Sequence, residues 1–334
     1  MTSPLHVSRR DVLAAGLSAA ALASLGRPAL GAWPAPEQAS IKVGTAVSAM
    51  SFLPVYVALA KTWKAQGLDV QLFQFRGDAE ISQALVGGSI DICVGSLNGV
   101  INMISTGQPV MGFYSGFHQA DFSWIAQSNI KRWSDLKGKA IGVATYGSLT
   151  DALTRYALRK NKLEPEKDVQ IVQAGTTAST YQAIKGGRLA AGILSPPFSW
   201  QAQDEGLTLL GTQEKDVSNA WPKHLYSAKT KFIADNPHTI EAVLRGHVAA
   251  LRLARKDREA AVDVMVDQLK LARPYAERAY DVEMPGYDER GGMPERSMPV
   301  FWDITISLGD VTSAWDENKY LDHRFINSFK TWAP

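Results

Sequence analysis

The sequence predicts an α/β protein of two similar lobes, on three observations. The chain has 334 residues, about two domains at roughly 150 residues each. From Ile41 onward, strand-like and helix-like stretches alternate. One α/β unit then recurs at an offset of 99 residues. Hydrophobic residues at 46% against charged residues at 20% supply the core such lobes need and exclude a disordered chain.

The elements follow in chain order. Residues 41–46 read as a strand. Pro54 suits the first position of a helix, and Val55, Leu59 and Trp63 recur at helical spacing, so a helix is expected over 54–66. A strand over 69–75, a helix over 78–86 and a strand over 90–94 come next. That order is the βαβ signature of a mostly parallel sheet. In the second copy, Asp168-Val169-Gln170 matches Asp69-Val70-Gln71, Gln173 matches Gln74 and Ala178 matches Ala79. Gln182-Ala183 matches Gln83-Ala84, Gly186-Gly187 matches Gly87-Gly88 and Ser195 matches Ser96. Ten identities in 28 gapless positions are hard to obtain by chance, so two similar lobes are expected. The chain must cross between them, and 116–121 and 211–222 are the candidate crossings. Beyond the second, the pattern predicts a strand over 225–228 and helices over 237–255, 257–271, 274–282 and 298–311.

The N-terminus reads as an export address. Arg9-Arg10 precedes an apolar run over 12–25, and the small residues Ala29 and Gly31 follow. This is the layout of a secretory signal, and the arginine pair marks the twin-arginine type. The run is too short and too weakly apolar for a stable membrane span, and no cysteine follows it to carry a lipid. Residues 1–31 are therefore set aside from the fold. Cleavage is expected near Ala32 and the mature protein in the periplasm.

Residues 1–31 hold Arg9, Arg10 and Arg27 against Asp11, a net charge of +2, which leaves 32 basic and 32 acidic residues elsewhere. A neutral body gives no electrostatic ground for a nucleic-acid partner. Cys93 is the single cysteine, so an internal disulfide framework, a cysteine-rich zinc site and a cysteine-ligated iron–sulfur cluster are excluded.

Several stretches carry a family resemblance. They are Phe52-Leu53-Pro54-Val55-Tyr56-Val57-Ala58-Leu59-Ala60, Gly67-Leu68-Asp69-Val70, Gly107-Gln108-Pro109-Val110 and Asp135-Leu136-Lys137-Gly138-Lys139-Ala140-Ile141-Gly142-Val143. Tyr146-Gly147-Ser148, Asp168-Val169 and Ser195-Pro196-Pro197-Phe198 complete the set. Together they resemble the periplasmic solute-binding proteins of nitrate/taurine/sulfonate-type ABC importers, over about 40–255 and more loosely in the tail. The resemblance implies a two-lobed type-2 periplasmic binding protein, two Rossmann-like α/β lobes joined by a hinge. Such a protein closes on a small-molecule solute and delivers it to an ABC permease with its ATPase. The resemblance also supports a tail that returns to the first lobe, giving lobe 1 as 40–117 with 224–334 and lobe 2 as 118–223. A monomer that spans no membrane and holds no cofactor or metal is expected.

Ligands of open α/β sheets bind at the carboxyl ends of the strands. Each strand-end segment here precedes a helix, so free N–H groups and the positive dipole end face the cleft. The Pro54 helix has no polar cap at its start, which leaves its amides for a ligand, with Ser48 and Ser51 nearby. Ser148 with Asp151 three residues on fits a capping box, either as a purely structural cap or beside a ligand. Thr150 and Thr176 are short hydrogen-bonding residues at helix starts. Arg76 ends a strand and either forks onto a carboxylate or sulfonate or pairs with Asp78 or Glu80. Phe52 and Tyr146 are candidates to stack on a ring or cover an alkyl body. Asn98 caps a helix or touches ligand, His118 stands at the first crossing, and Pro196 lies in the Ser-Pro-Pro turn. Phe117 and Cys93 read as core.

The six histidines show no metal-ligand spacing, and the sequence has no nucleophile elbow, Walker loop, flavin glycine fingerprint or haem-attachment motif. The expected function is a non-catalytic, exported component of an ABC importer that captures a sulfonate-, carboxylate- or heterocycle-like solute. The alternatives are a same-fold periplasmic enzyme and a binding protein that feeds a sensor.

Overall fold

The two copies of the repeat fold into two five-stranded sheets. The computed structural model describes residues 33–334, so the segment 1–31 expected to be a twin-arginine signal lies outside the described residues. The first sheet holds Ser40–Thr45 (β1), Asp69–Gln74 (β2), Ile92–Gly95 (β3), Val110–Gln119 (β4) and Ala220–Lys229 (β10), in the order β2-β1-β3-β10-β4. The second holds Ser123–Ala126 (β5), Ala140–Val143 (β6), Gln170–Gln173 (β7), Ala191–Leu194 (β8) and Thr208–Thr212 (β9), in the order β7-β6-β8-β5-β9. In each sheet three strands are parallel, and a fourth runs antiparallel between the third and the outer edge. The offset of 99 carries Ile92–Gly95 onto Ala191–Leu194 residue for residue, and the first residue of the helix at Asp78 onto Thr177.

Six helices follow the parallel strands: Leu53–Val57 (α1), Asp78–Gly87 (α2), Leu97–Ser105 (α3), Leu149–Lys160 (α4), Thr177–Lys185 (α5) and Phe198–Asp204 (α6). Every one of them starts at the carboxyl end of a strand, which turns their N-termini to the same edge of each sheet. The stretch expected as one helix over 54–66 is helical but changes pitch. α1 gives way to a π-helical turn at Ala58–Thr62 and a 3-10 turn at Lys64–Gln66, and Gly67 closes it at φ +78°. The segment packs against the helix Pro237–Lys256 (α7), where Trp63 Nε1 donates to the Val243 carbonyl at 3.0 Å and Thr62 Oγ1 to that of Gly246 at 2.6 Å. Gly246 makes the room, because a Cβ there would collide with Trp63 Cδ1.

The tail continues with Arg258–Leu269 (α8), Arg273–Glu283 (α9) and Met298–Ser307 (α10). Asp257 caps α8, its Oδ1 accepting from the Ala260 amide at 3.0 Å. α10 stops short of the expected 311 because Gly309 turns the chain at φ +81°. The tail is hydrogen-bonded to the first sheet. Gly112 of β4 donates to the Tyr320 carbonyl at 2.9 Å and accepts from the Asp322 amide at 2.8 Å. The expected boundaries after 117 and before 224 fall inside β4 and β10, which run on to Gln119 and begin at Ala220. Among the described residues no helix is long and apolar enough to cross a membrane.

The main apolar cluster passes without a break from Val43 and Ile92 in the first sheet, through Phe122 and Trp124, to Ile141 and Leu153 around the second. Ile125, Tyr181, Ile184, Leu194 and Ala202 form a smaller cluster under α5 and α6. The larger cluster thus runs through both sheets.

Candidate ligand-binding site

Where the strand ends of the two sheets meet, the chain encloses a cavity. From the first sheet come Ala46, Val47 and Phe52 after β1, Gly77 and Asp78 after β2, and Gly95 and Ser96 at the end of β3. Facing them are Ala144, Ser148, Leu149 and Thr150 after β6, and Gly175, Thr177 and Thr180 after β7. Phe122 and the pair Lys223-His224 close it from the two crossings. The cavity leaves about 50 Å³ open to the centre of a water-sized sphere, room for a few waters at about 10–15 Å³ each. A wider depression beside it shares Ala144 and Gly175 and is lined also by Arg76, Glu80, Gln173, Thr176 and Ser179.

Of the expected contacts, Phe52, Ser148 and Thr150 line the cavity. Ser51 lies one step behind, its Oγ 3.2 Å from His224 Nε2. Ser48 hydrogen-bonds the buried Tyr56 hydroxyl, whose pKa burial pushes up to about 12. Thr176 caps α5, accepting from the Ser179 amide at 3.2 Å, and lines the neighbouring depression. Arg76 lines the same depression, with its side chain 73% exposed and its Nε donating to Glu80 at 2.7 Å. The Glu80 carboxylate beside it raises the Arg76 pKa. Of the two roles open to Arg76, the structure therefore contains the pairing with Glu80.

The remaining candidates lie apart from the cavity. Tyr146 is 48% exposed, donates to the Ile171 carbonyl at 3.1 Å and borders a groove with Asn102 and Met103. His118 sits 3.1 Å from Ser115 Oγ in a surface depression with Gln119 and Asp288, and burial lowers its pKa. Asn98 does not cap α3; Ser96 does, accepting from the Gly99 amide at 3.1 Å. Asn98 is buried, with neither side-chain atom hydrogen-bonded. Pro196 lies in the turn before α6 and is absent from the cavity wall. The capping box at α4 is half formed. Ser148 Oγ accepts from the Asp151 amide at 3.4 Å, but the Asp151 carboxylate turns to the Gly147 amide at 2.9 Å and to Arg155.

Two cavity groups, Lys223 and His224, escape local sequence reading, and Asp78 has a role beyond its expected place at the strand end 76–78. Asp78, 6% exposed, accepts from the Ser96 amide at 2.9 Å and, across the cleft, from the Leu149 amide at 3.2 Å. Lys223 forms a buried ion pair with Asp121, and its Nζ lies 4.3 Å from the centre of the Phe122 ring. His224 stacks on Phe52 with ring centres 3.9 Å apart. Burial, reinforced by Lys223, holds its imidazole well below the usual histidine range, so the ring is neutral. The signal for the last two is a charged-polar pair, Lys223-His224, set between Trp221-Pro222 and Leu225.

Most hydroxyls on the wall are already engaged. Thr150 Oγ1 accepts from the Ala144 amide at 2.9 Å, and Thr177 Oγ1 lies 3.2 Å from Ser195 Oγ. The wall is thus largely apolar, with one carboxylate, one paired amine and one neutral imidazole. Cys93 is buried and burial pushes its thiol up to about 12, far from a reactive thiolate. Among the described residues no group of three or more His, Cys, Asp or Glu side chains is placed to hold a metal ion. The arrangement is suited to enclosing a small molecule.

Two facing α/β sheets with a cavity at their strand ends define a two-lobed protein of the periplasmic binding protein fold. Solved structures share it. The periplasmic nitrate-binding protein NrtA from Synechocystis PCC 6803 aligns with a TM-score of 0.72 at 16% identity, over 89% of this chain and 89% of that one. The periplasmic aliphatic sulphonate binding protein SsuA from Escherichia coli aligns with a TM-score of 0.62 at 19% identity, over 85% and 92%. The chain belongs to the NMT1/THI5-like family, whose model matches residues 49–261. YtlA of Bacillus subtilis (strain 168), whose name describes a binding protein, is 25% identical over 205 residues, 60% of this chain and 61% of its own length. The chain thus matches less than two thirds of that relative.

Proposed function

We propose that this protein is the exported solute-binding component of an ABC importer. It captures a small organic solute between lobe 1 (40–117 and 224–334) and lobe 2 (118–223), and delivers it as a monomer to a membrane permease coupled to its ATPase. It performs no catalysis, and its signal is of the twin-arginine type, with the mature chain in the periplasm. One observation carries the reading: a cavity closed by strand ends from both sheets, so that a ligand inside touches both and holds them together. Mechanistically, the open form admits the solute, contacts from both sheets favour the closed form, and release at the permease reopens it.

The test is mass spectrometry of small molecules released from purified protein, followed by calorimetry and X-ray scattering with the compound found. One compound near 1:1 stoichiometry, and a smaller radius of gyration on saturating stripped protein, is the expected result. An unchanged radius at saturation counts against closure around the ligand.

A further inference from the structure

Two helix N-termini from opposite lobes converge on a single side chain of the protein itself. The Ser96 amide, at the N-cap of α3, donates to Asp78 Oδ1 at 2.9 Å. The Leu149 amide, the first residue of α4, donates to Asp78 Oδ2 at 3.2 Å. Backbone amides and aligned dipoles at such ends favour an anion, and here the chain supplies one. We propose that Asp78 is a tethered anion that occupies the paired helix ends of the cleft and so restricts the ligand to neutral or cationic molecules. This deepens the solute-binding reading and rests on it.

Three further observations support the assignment. The seat is built for the carboxylate. A Cβ on Gly95 would lie 3.1 Å from Asp78 Oδ1, and one on Gly99 would lie 3.2 Å from Asp78 Cβ. The nearby cations are engaged elsewhere, Lys223 by the buried Asp121 and Arg76 by Glu80 in the neighbouring depression. His224 contributes no charge, being buried beside Lys223. An anionic ligand group entering this cavity therefore meets a carboxylate at the helix ends, in a low-dielectric setting where like charges repel strongly. A neutral or cationic molecule with hydrogen-bond donors instead finds the free lone pairs of Asp78 and the faces of Phe52 and Phe122.

The experiment titrates stripped wild-type protein and Asp78→Ser with nitrate and with ethanesulfonate, by calorimetry and thermal unfolding. It also records the net charge of any molecule that co-purifies with the wild type. Wild type is expected to bind neither anion up to about 10 mM, weaker than the ordinary range for specific recognition. Asp78→Ser opens the paired helix ends and is expected to bind ethanesulfonate at least about tenfold more tightly than wild type does. A co-purified molecule is expected to be neutral or cationic. Micromolar binding of either anion by wild type, or an anionic co-purified molecule, overturns the proposal while leaving solute binding intact. A folded Asp78→Ser with no gain for either anion also overturns it. If no small molecule is released and no neutral, cationic or anionic probe binds, the solute-binding reading falls, and the proposal with it. Should Asp78→Ser fail to fold, the wild-type titrations and the charge of the co-purified molecule decide.

Discussion

Phe52 lies flat on His224, with ring centres 3.9 Å apart and planes 11° from parallel. The stack joins the start of α1 to the second crossing strand and keeps the imidazole dry. His247 is equally dry, its Nδ1 2.7 Å from the Tyr226 hydroxyl, and burial pushes its pKa to about 3.

These two rings make the fold acid-sensitive. Their folded pKa values lie below the unfolded value of 6.5. The unfolded chain therefore gains protons first as pH falls, and stability present above pH 6.5 is lost below it. At pH 5 the His247 ring accounts for about 2 kcal/mol of that loss, and His224 adds to it in the same direction. Glu283 acts in the opposite sense. Burial and the Asp121 charge raise its carboxyl well above the usual range, so the folded chain takes up that proton first and acid returns part of the loss. Between pH 7.5 and 5, His247→Phe is expected to lose about 2 kcal/mol less stability than the unaltered chain, measured by urea unfolding at both pH values.

The Lys223–Asp121 pair is expected to be costly to break from one side. Lys223→Met leaves Asp121 buried and unpaired, a loss of about 3–5 kcal/mol. The double variant Lys223→Met with Asp121→Leu should unfold at higher urea than the single variant, because it strands no charge. A double variant no more stable than the single one would contradict this account.

Arg76→Ala is expected to change ligand affinity by less than threefold, because Arg76 is turned out to Glu80 and solvent. Calorimetry with the co-purified compound measures it. A loss of about 30-fold or more would instead put the guanidinium on a charged ligand group.

Gly246→Ala is expected to destabilise the protein by about 1–3 kcal/mol, the usual range for overpacking a filled core. The added methyl meets the Trp63 ring, which is anchored by its bond to Val243. Denaturant unfolding with an unchanged slope provides the measurement.

The alternation of strands and helices and the repeat at 99 were legible because period and turn chemistry are local properties. The two sheets and the helix starts at 78 and 177 follow from them. The change of pitch near Ala58 was not legible, since it depends on α7, some 180 residues further on at Val243. The site was legible in outline only. Phe52, Ser148 and Thr150 sit at helix starts that any α/β pattern marks. Asp78 depends on an amide 71 positions away, Lys223 on a carboxylate 102 away, and His224 on Ser51 173 away. Arg76 had two local partners in Asp78 and Glu80, and sequence cannot say which wins until the Asp78 carboxylate is drawn across the cleft.

β4 and β10 pair with each other before both cross to the second sheet, and their register slips on either side of His224. The connection between the lobes is therefore one two-stranded ribbon rather than two independent tethers. Bulges of this kind bend the strand that carries them and sharpen its local twist. Lys223 and His224 lie at that irregular point and also on the cavity wall. Under the proposed function, a solute in the cavity touches the connecting ribbon itself.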